Sequence, residues 1–174
     1  MNNIPGHVIL FLMALFASSQ TLAVTPAGDI KGTLKNISKY SQGIKLDANY
    51  MEVKRAMGKP IQEKPLPSNK SILTAVWKLD SYSVDVKVNN NKVESYGIHW
   101  FGLPGKIPAF KDIYSGKFES ENRKGSDISR QKNKDVIICW TSKPVPGRKE
   151  VISVLDVSKN NNQAGCKFSE ELKK

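Results

Sequence analysis

The sequence predicts an α+β fold: two N-terminal helices packed on an antiparallel three-stranded meander, followed by a further disulfide-stapled β segment. Three observations predict it. Apolar residues recur at helical spacing before residue 58, three runs between residues 72 and 101 alternate apolar with polar, and the two cysteines, Cys139 and Cys166, fall in the last quarter. The expected organisation is residues 1–23 as a signal peptide, 24–100 as an α+β unit, and 101–174 as a β-rich segment packed on that unit.

The apolar run from Val8 to Ala17, followed by small and polar residues up to Ala23, is the pattern of a secretory signal peptide cut between Ala23 and Val24. Its apolar core of roughly ten residues is short of the ~20 that span a bilayer. No cysteine follows that run, so no lipid anchor is expected. Roughly 150 residues then remain, which suits one domain or two very small ones. The expected location is periplasmic or secreted, where oxidising conditions let Cys139 and Cys166 pair. In the chain-entropy view, closing a loop of about 26 residues stabilises by about 3.5 kcal/mol.

Ile30, Leu34 and Ile37 share one helical face, which predicts a first helix over about 27–40. In "GIKLDANYMEVKRAMGKP", Asn49 with Glu52 forms a capping-box pattern and Gly58-Lys59-Pro60 a stop, so a second helix spans about 50–57. Residues 59–71 hold three prolines among polar residues and read as a loop. "ILTAVWKLD", "SYSVDVKV" and "KVESYGIHWF" follow as strands, the last two separated by an Asn-rich turn. One apolar face on such a meander needs a cover, and the two helices supply it. Residues 101–110, rich in Gly and Pro, read either as a packed loop or as an exposed recognition loop. Residues 111–134 read as a short strand near Lys117–Ser120 and then a mobile basic loop, before two firmer strands at 135–142 and 150–158.

The stretch from Ile44 to Ile98, with its capped helix, its Gly-x-Pro stop, a strand bearing Trp77 and a closing hairpin, resembles the BamE-like (SmpA/OmlA) domain. That family is similar in shape to the repeat unit of the β-lactamase inhibitory protein. The resemblance implies a binding scaffold rather than an activity, because function resides in sites rather than folds. Many members carry a lipidated cysteine that this chain lacks, and the segment after residue 100 lies outside the pattern.

Catalytic constellations are not evident. His99 is the one histidine left after cleavage, and it stands in a strand without a GxSxG elbow. Asp80 with Asp85, and Glu119 with Glu121, are the available carboxylate pairs, and both read as ordinary surface acids. No P-loop, dinucleotide fingerprint or metal-spaced cluster occurs, so neither an enzyme nor a cofactor is expected.

Two binding features remain. Tyr96, His99, Trp100 and Phe101 read either as interface anchors or as the end of the core. Arg123, Lys124, Arg130, Lys132 and Lys134 form a basic stretch that either steers toward an acidic partner or is simply solvated. The chain carries 27 Lys+Arg against 16 Asp+Glu, a net charge of +11, none of it in the first 23 residues. This balance points to an acidic protein partner, such as a toxin or enzyme, ahead of an anionic envelope lipid or glycan, with nucleic acid disfavoured in an exported chain. The expectation is an exported, non-enzymatic inhibitor or immunity protein, with an envelope structural or assembly factor as the alternative.

Overall fold

The computed structural model describes residues 28–159 together with Cys166 and Phe168. Along the chain come α1 (Ile30–Ser38), α2 (Tyr50–Met57), β1 (Gln62–Leu66), β2 (Asn69–Lys78), β3 (Tyr82–Asn89), β4 (Lys92–Gly102), α3 (Phe110–Ile113), β5 (Glu119–Arg123), β6 (Ser126–Lys132), β7 (Val136–Pro144) and β8 (Val151–Lys159). All eight described strands join one antiparallel sheet in the order β1-β2-β3-β4-β8-β7-β6-β5. Two four-stranded meanders therefore meet through their last strands, with Ser95–Gly102 of β4 running against Ser158–Val151 of β8.

This sheet overturns the expected fold class of two helices on a three-stranded meander followed by a separate stapled segment. The helices form where their spacing places them, but they cover part of a far larger sheet. Three strands had no apolar alternation to reveal them. β1 lies in the proline-rich stretch read as a loop, and it tolerates Pro65 because it is an edge strand. β5 overlaps the short strand expected near Lys117–Ser120 but runs on to Arg123, and β6 lies wholly in the stretch read as a mobile basic loop. Their hairpin closes on Lys124-Gly125, both at positive φ (49° and 78°), the backbone a tight two-residue turn requires.

The ends of α1 and α2 are fixed by side chains. Asp29 accepts the Gly32 N–H at 2.9 Å and Asn49 accepts the Met51 N–H at 2.9 Å, each satisfying a donor that the first helical turn leaves free. Gly58, at φ 77°, ends α2, and the Trp77 indole N–H donates to its carbonyl at 3.0 Å, fastening the helix to β2.

Strand alternation then sorts every side chain to one of two faces. The helix side carries the main core: Trp77, Val84, Ile98, Leu155 and Trp140 follow one another across β2, β3, β4, β8 and β7. Trp100 stacks on Trp140 with centroids 5.4 Å apart and meets Tyr40 edge-on, which binds the two meanders into one core. Among the described residues the opposite face carries no helix.

Candidate functional site

The helix-free face is built by register. Reading straight across the ladder from β2 to β5, Val76 faces Asp85, Asp85 faces Gly97, Gly97 faces Asp156, Asp156 faces Cys139, Cys139 faces Arg130 and Arg130 faces Glu119. The neighbouring row runs Lys78, Ser83, His99, Val154, Thr141 and Ile128.

Gly97 is the centre of this face. A Cβ there would lie 2.6 Å from Asp85 Oδ1 and 2.9 Å from Asp156 Oδ1, so the two carboxylates lean over bare backbone that no other residue leaves free. His99 lies diagonally across from Asp85, and its Nε2–H donates to Asp85 Oδ1. That hydrogen bond raises the imidazole pKa above its ordinary value against the opposing effect of burial, and the charges of Asp85 and Asp156 add to the rise. Burial pushes the Asp156 carboxyl up, Asp85 pushes it further, and His99 with Lys87 opposes both. Two carboxylates, one of them poorly solvated, thus share a single imidazole.

The predicted site residues divide by face. Tyr96 and Trp100 are buried on the helix side, whereas His99 and Phe101 stand on the open face, Phe101 with 54% of its surface exposed. Arg123 donates from Nε to Glu121 at 2.9 Å and Lys124 sits in the β5–β6 turn. Arg130 is 5% exposed: its Nε and Nη2 donate to Glu119 Oε2 at 2.8 and 2.6 Å, its Nη1 donates to the Cys166 carbonyl at 3.2 Å, and its guanidinium lies 4.0 Å from the centroid of the Phe168 ring. Lys132 ends β6 opposite Ile137, well away from the Phe101 end of the face. The expected cleavage residues Ala23 and Val24 lie outside the described residues.

Cys139 and Cys166 form the expected disulfide. Because Cys139 points to the open face, the bond brings Cys166 and Phe168 over β6 and β7, where they pack with Ile128 and Ile137. The β8 side and the whole first meander stay free of that cover among the described residues.

Locally, Asp85 looks like an ordinary surface acid, and Asp156 belongs to no motif. The signal was alternation: Asp85 between Val84 and Val86, and Asp156 between Leu155 and Val157, occupy the outward positions of strands whose inward positions are apolar. Registering two strands 71 residues apart is what sequence reading lacked. Chemically the centre can hold a proton or receive a donor from outside. Among the described residues no group of three His, Cys, Asp or Glu side chains is placed to hold a metal ion. Ser83 faces His99 in register, but no hydrogen bond joins them, so a nucleophile–base contact is not made.

No family model matches the chain, and no curated protein matches it. Among solved structures it is similar to a cysteine-rich secretory protein from Staphylococcus aureus subsp. aureus Mu50, at 12% identity and a TM-score of 0.39, over 68% of this chain and 46% of that one. The chain thus spans about half the length of that protein. The disulfide is consistent with a location outside a reducing cytoplasm. Among the described residues no helix is long and apolar enough to cross a membrane.

Proposed function

We propose that this is an exported binding protein, periplasmic or secreted, that neutralises a partner protein by docking it on the helix-free sheet face, in the manner of an immunity protein against an envelope-targeting toxin. One observation carries the reading: a broad sheet face, uncovered from β1 to β8 among the described residues, places an exposed aromatic, Phe101, beside a polar centre at Asp85, His99 and Asp156. Aromatic anchors beside desolvated polar groups are what protein interfaces use for affinity and register. Lys64, Lys78 and Lys87 surround that centre on β1, β2 and β3, so the fitting partner presents carboxylates toward the first meander and an apolar group toward Phe101 and Val154.

The test mixes the purified protein with the enzyme or toxin encoded beside it and follows association by calorimetry and gel filtration. A soluble stoichiometric complex is expected, weakened at least tenfold by Phe101→Ala and by the double change Lys78→Glu, Lys87→Glu, with inhibition lost in parallel. Salt-sensitive association with anionic vesicles, and no complex with protein, would instead support an envelope assembly factor that binds anionic lipid.

A further inference from the structure

The helix side of the second meander differs from that of the first. Over β1–β4 that side is apolar and is filled by α1 and α2. Beyond Trp140 the same rows turn polar: Trp140 faces Ser129 and Ser129 faces Ser120, while Ser153 faces Ser142, Ser142 faces Asp127 and Asp127 faces Asn122. Above this floor lies a cavity of about 470 Å³, roofed by the Pro104–Phe110 segment. Its volume is within the range of small-molecule sites, which is roughly 300–1,000 Å³.

A hydroxyl that lines a cavity can serve a ligand where no protein group already takes up its donor and acceptor. Ser142 and Ser153 satisfy one another at 3.0 Å, and the Asn122 amide donates to Asp127 Oδ1 at 2.7 Å. Ser129 is different: the residue is 4% exposed and lines the cavity, its backbone carbonyl accepts from Tyr114 at 3.0 Å, and its hydroxyl is not among the buried orphaned atoms of the described residues, so it opens to the cavity. The walls are apolar, with Ile107, Pro108 and Val151, and Phe110 stands half-exposed at the mouth. Phe118 fixes that ring edge-on at 5.0 Å and is itself stacked on Tyr114 at 5.4 Å.

We propose that this cavity binds a neutral sugar of one or two rings. A sugar offers an apolar C–H face for the Phe110 ring and alternating hydroxyl donors and acceptors for Ser129, Asp127 and Asn122. The lining holds no Lys or Arg, in a chain that carries 27 of them, so an anion does not fit. Glu121 is answered by Arg123, while Asp127 is met by the neutral Asn122 amide, so one carboxylate remains as an acceptor for a ligand hydroxyl and a polyamine is the competing ligand.

The test titrates the isotope-labelled full chain with N,N′-diacetylchitobiose and, separately, cellobiose, following amide and indole resonances. Saturable shifts confined to Ser120, Ser129, Ser153 and the Trp140 indole are expected with at least one sugar. Phe110→Ala should weaken that binding at least tenfold, and Ser129→Ala at least threefold. Phe110 is exposed enough for its variant to fold, which a circular dichroism melt verifies, so the conclusion does not hang on the buried serine. Three outcomes overturn the proposal: no saturable shift with either sugar, shifts that survive Phe110→Ala unchanged, or binding of spermidine at this cavity with neither sugar bound.

Discussion

His99 and Asp85 are joined by a hydrogen bond that crosses from β4 to β3 on the open face of the sheet. The bond holds the imidazole proton, so the His99 pKa lies above its ordinary value of about 6.5. For a group raised on folding, the stabilisation is complete below the unfolded value and disappears as pH climbs through the folded one. The contribution of His99 should therefore be full below about pH 6.5 and fade above it. Imidazole resonances followed against pH should show a midpoint above 6.5, and Asp85→Asn should bring it down. A wild-type midpoint below 6.5 would contradict this geometry.

Asp156 has the opposite sign. Burial and Asp85 raise its carboxyl pKa, so the unfolded chain ionises it more readily than the folded one. Its ionised form is penalised in the fold, a penalty that begins as pH rises past about 3.9 and is complete above the raised folded value. Asp156→Asn should then stabilise the protein at neutral pH by about 1 kcal/mol in urea unfolding, with no gain near pH 3. The same change should lower the His99 midpoint, because the charge of Asp156 is one of its supports. A site that gains stability when a polar group is neutralised has kept that group for something other than folding.

Arg130 and the disulfide hold one structure from two sides. The guanidinium donates to the Cys166 carbonyl and lies over Phe168, while Cys166 is bonded to Cys139. Glu119, with 54% of its side chain exposed, contributes little as an ion-pair partner, because solvent screens it. Arg130→Met should nonetheless cost about 2 kcal/mol, chiefly through the orphaned carbonyl and the lost ring contact. Replacing both cysteines by serine should cost about 3.5 kcal/mol for a sequence separation of 27. The two losses share a cause, so the combined variant should lose less than their sum by at least 0.5 kcal/mol. Full additivity in a double-mutant cycle would show that Arg130 does not act through the tail.

Legibility followed solvation. The capped ends at Asn49 and Gly58, the alternating runs of β2, β3, β4, β7 and β8, and the pairing of Cys139 with Cys166 are written in local chemistry. β6 is not, because it buries Ser129, Arg130 and Gln131 where an ordinary strand would bury valine, and the partners of Arg130 and Gln131 lie on other segments. The site was half legible for a related reason. His99 and Phe101 drew notice by composition, but Asp156 and Gly97 acquire meaning only through the β4–β8 ladder, a pairing of strands separated by the whole second meander.

Adjacent aromatic residues at the end of β4 separate folding from binding most directly. Trp100 is 3% exposed and packs among Tyr40, Tyr82 and Trp140, so Trp100→Ala empties the seam between the two meanders. A loss of about 4 kcal/mol is expected in chemical unfolding, because a truncated core aromatic loses both transfer free energy and contacts around the cavity it leaves. Phe101 points the other way and is mostly solvated, so Phe101→Ala should shift stability by less than about 0.5 kcal/mol. If the open face docks a partner, that same variant should weaken the complex at least tenfold with an unchanged melting curve. A large stability loss at Phe101, or unchanged partner affinity, would remove the aromatic anchor from the docking face and leave the polar centre around Gly97 to carry recognition alone.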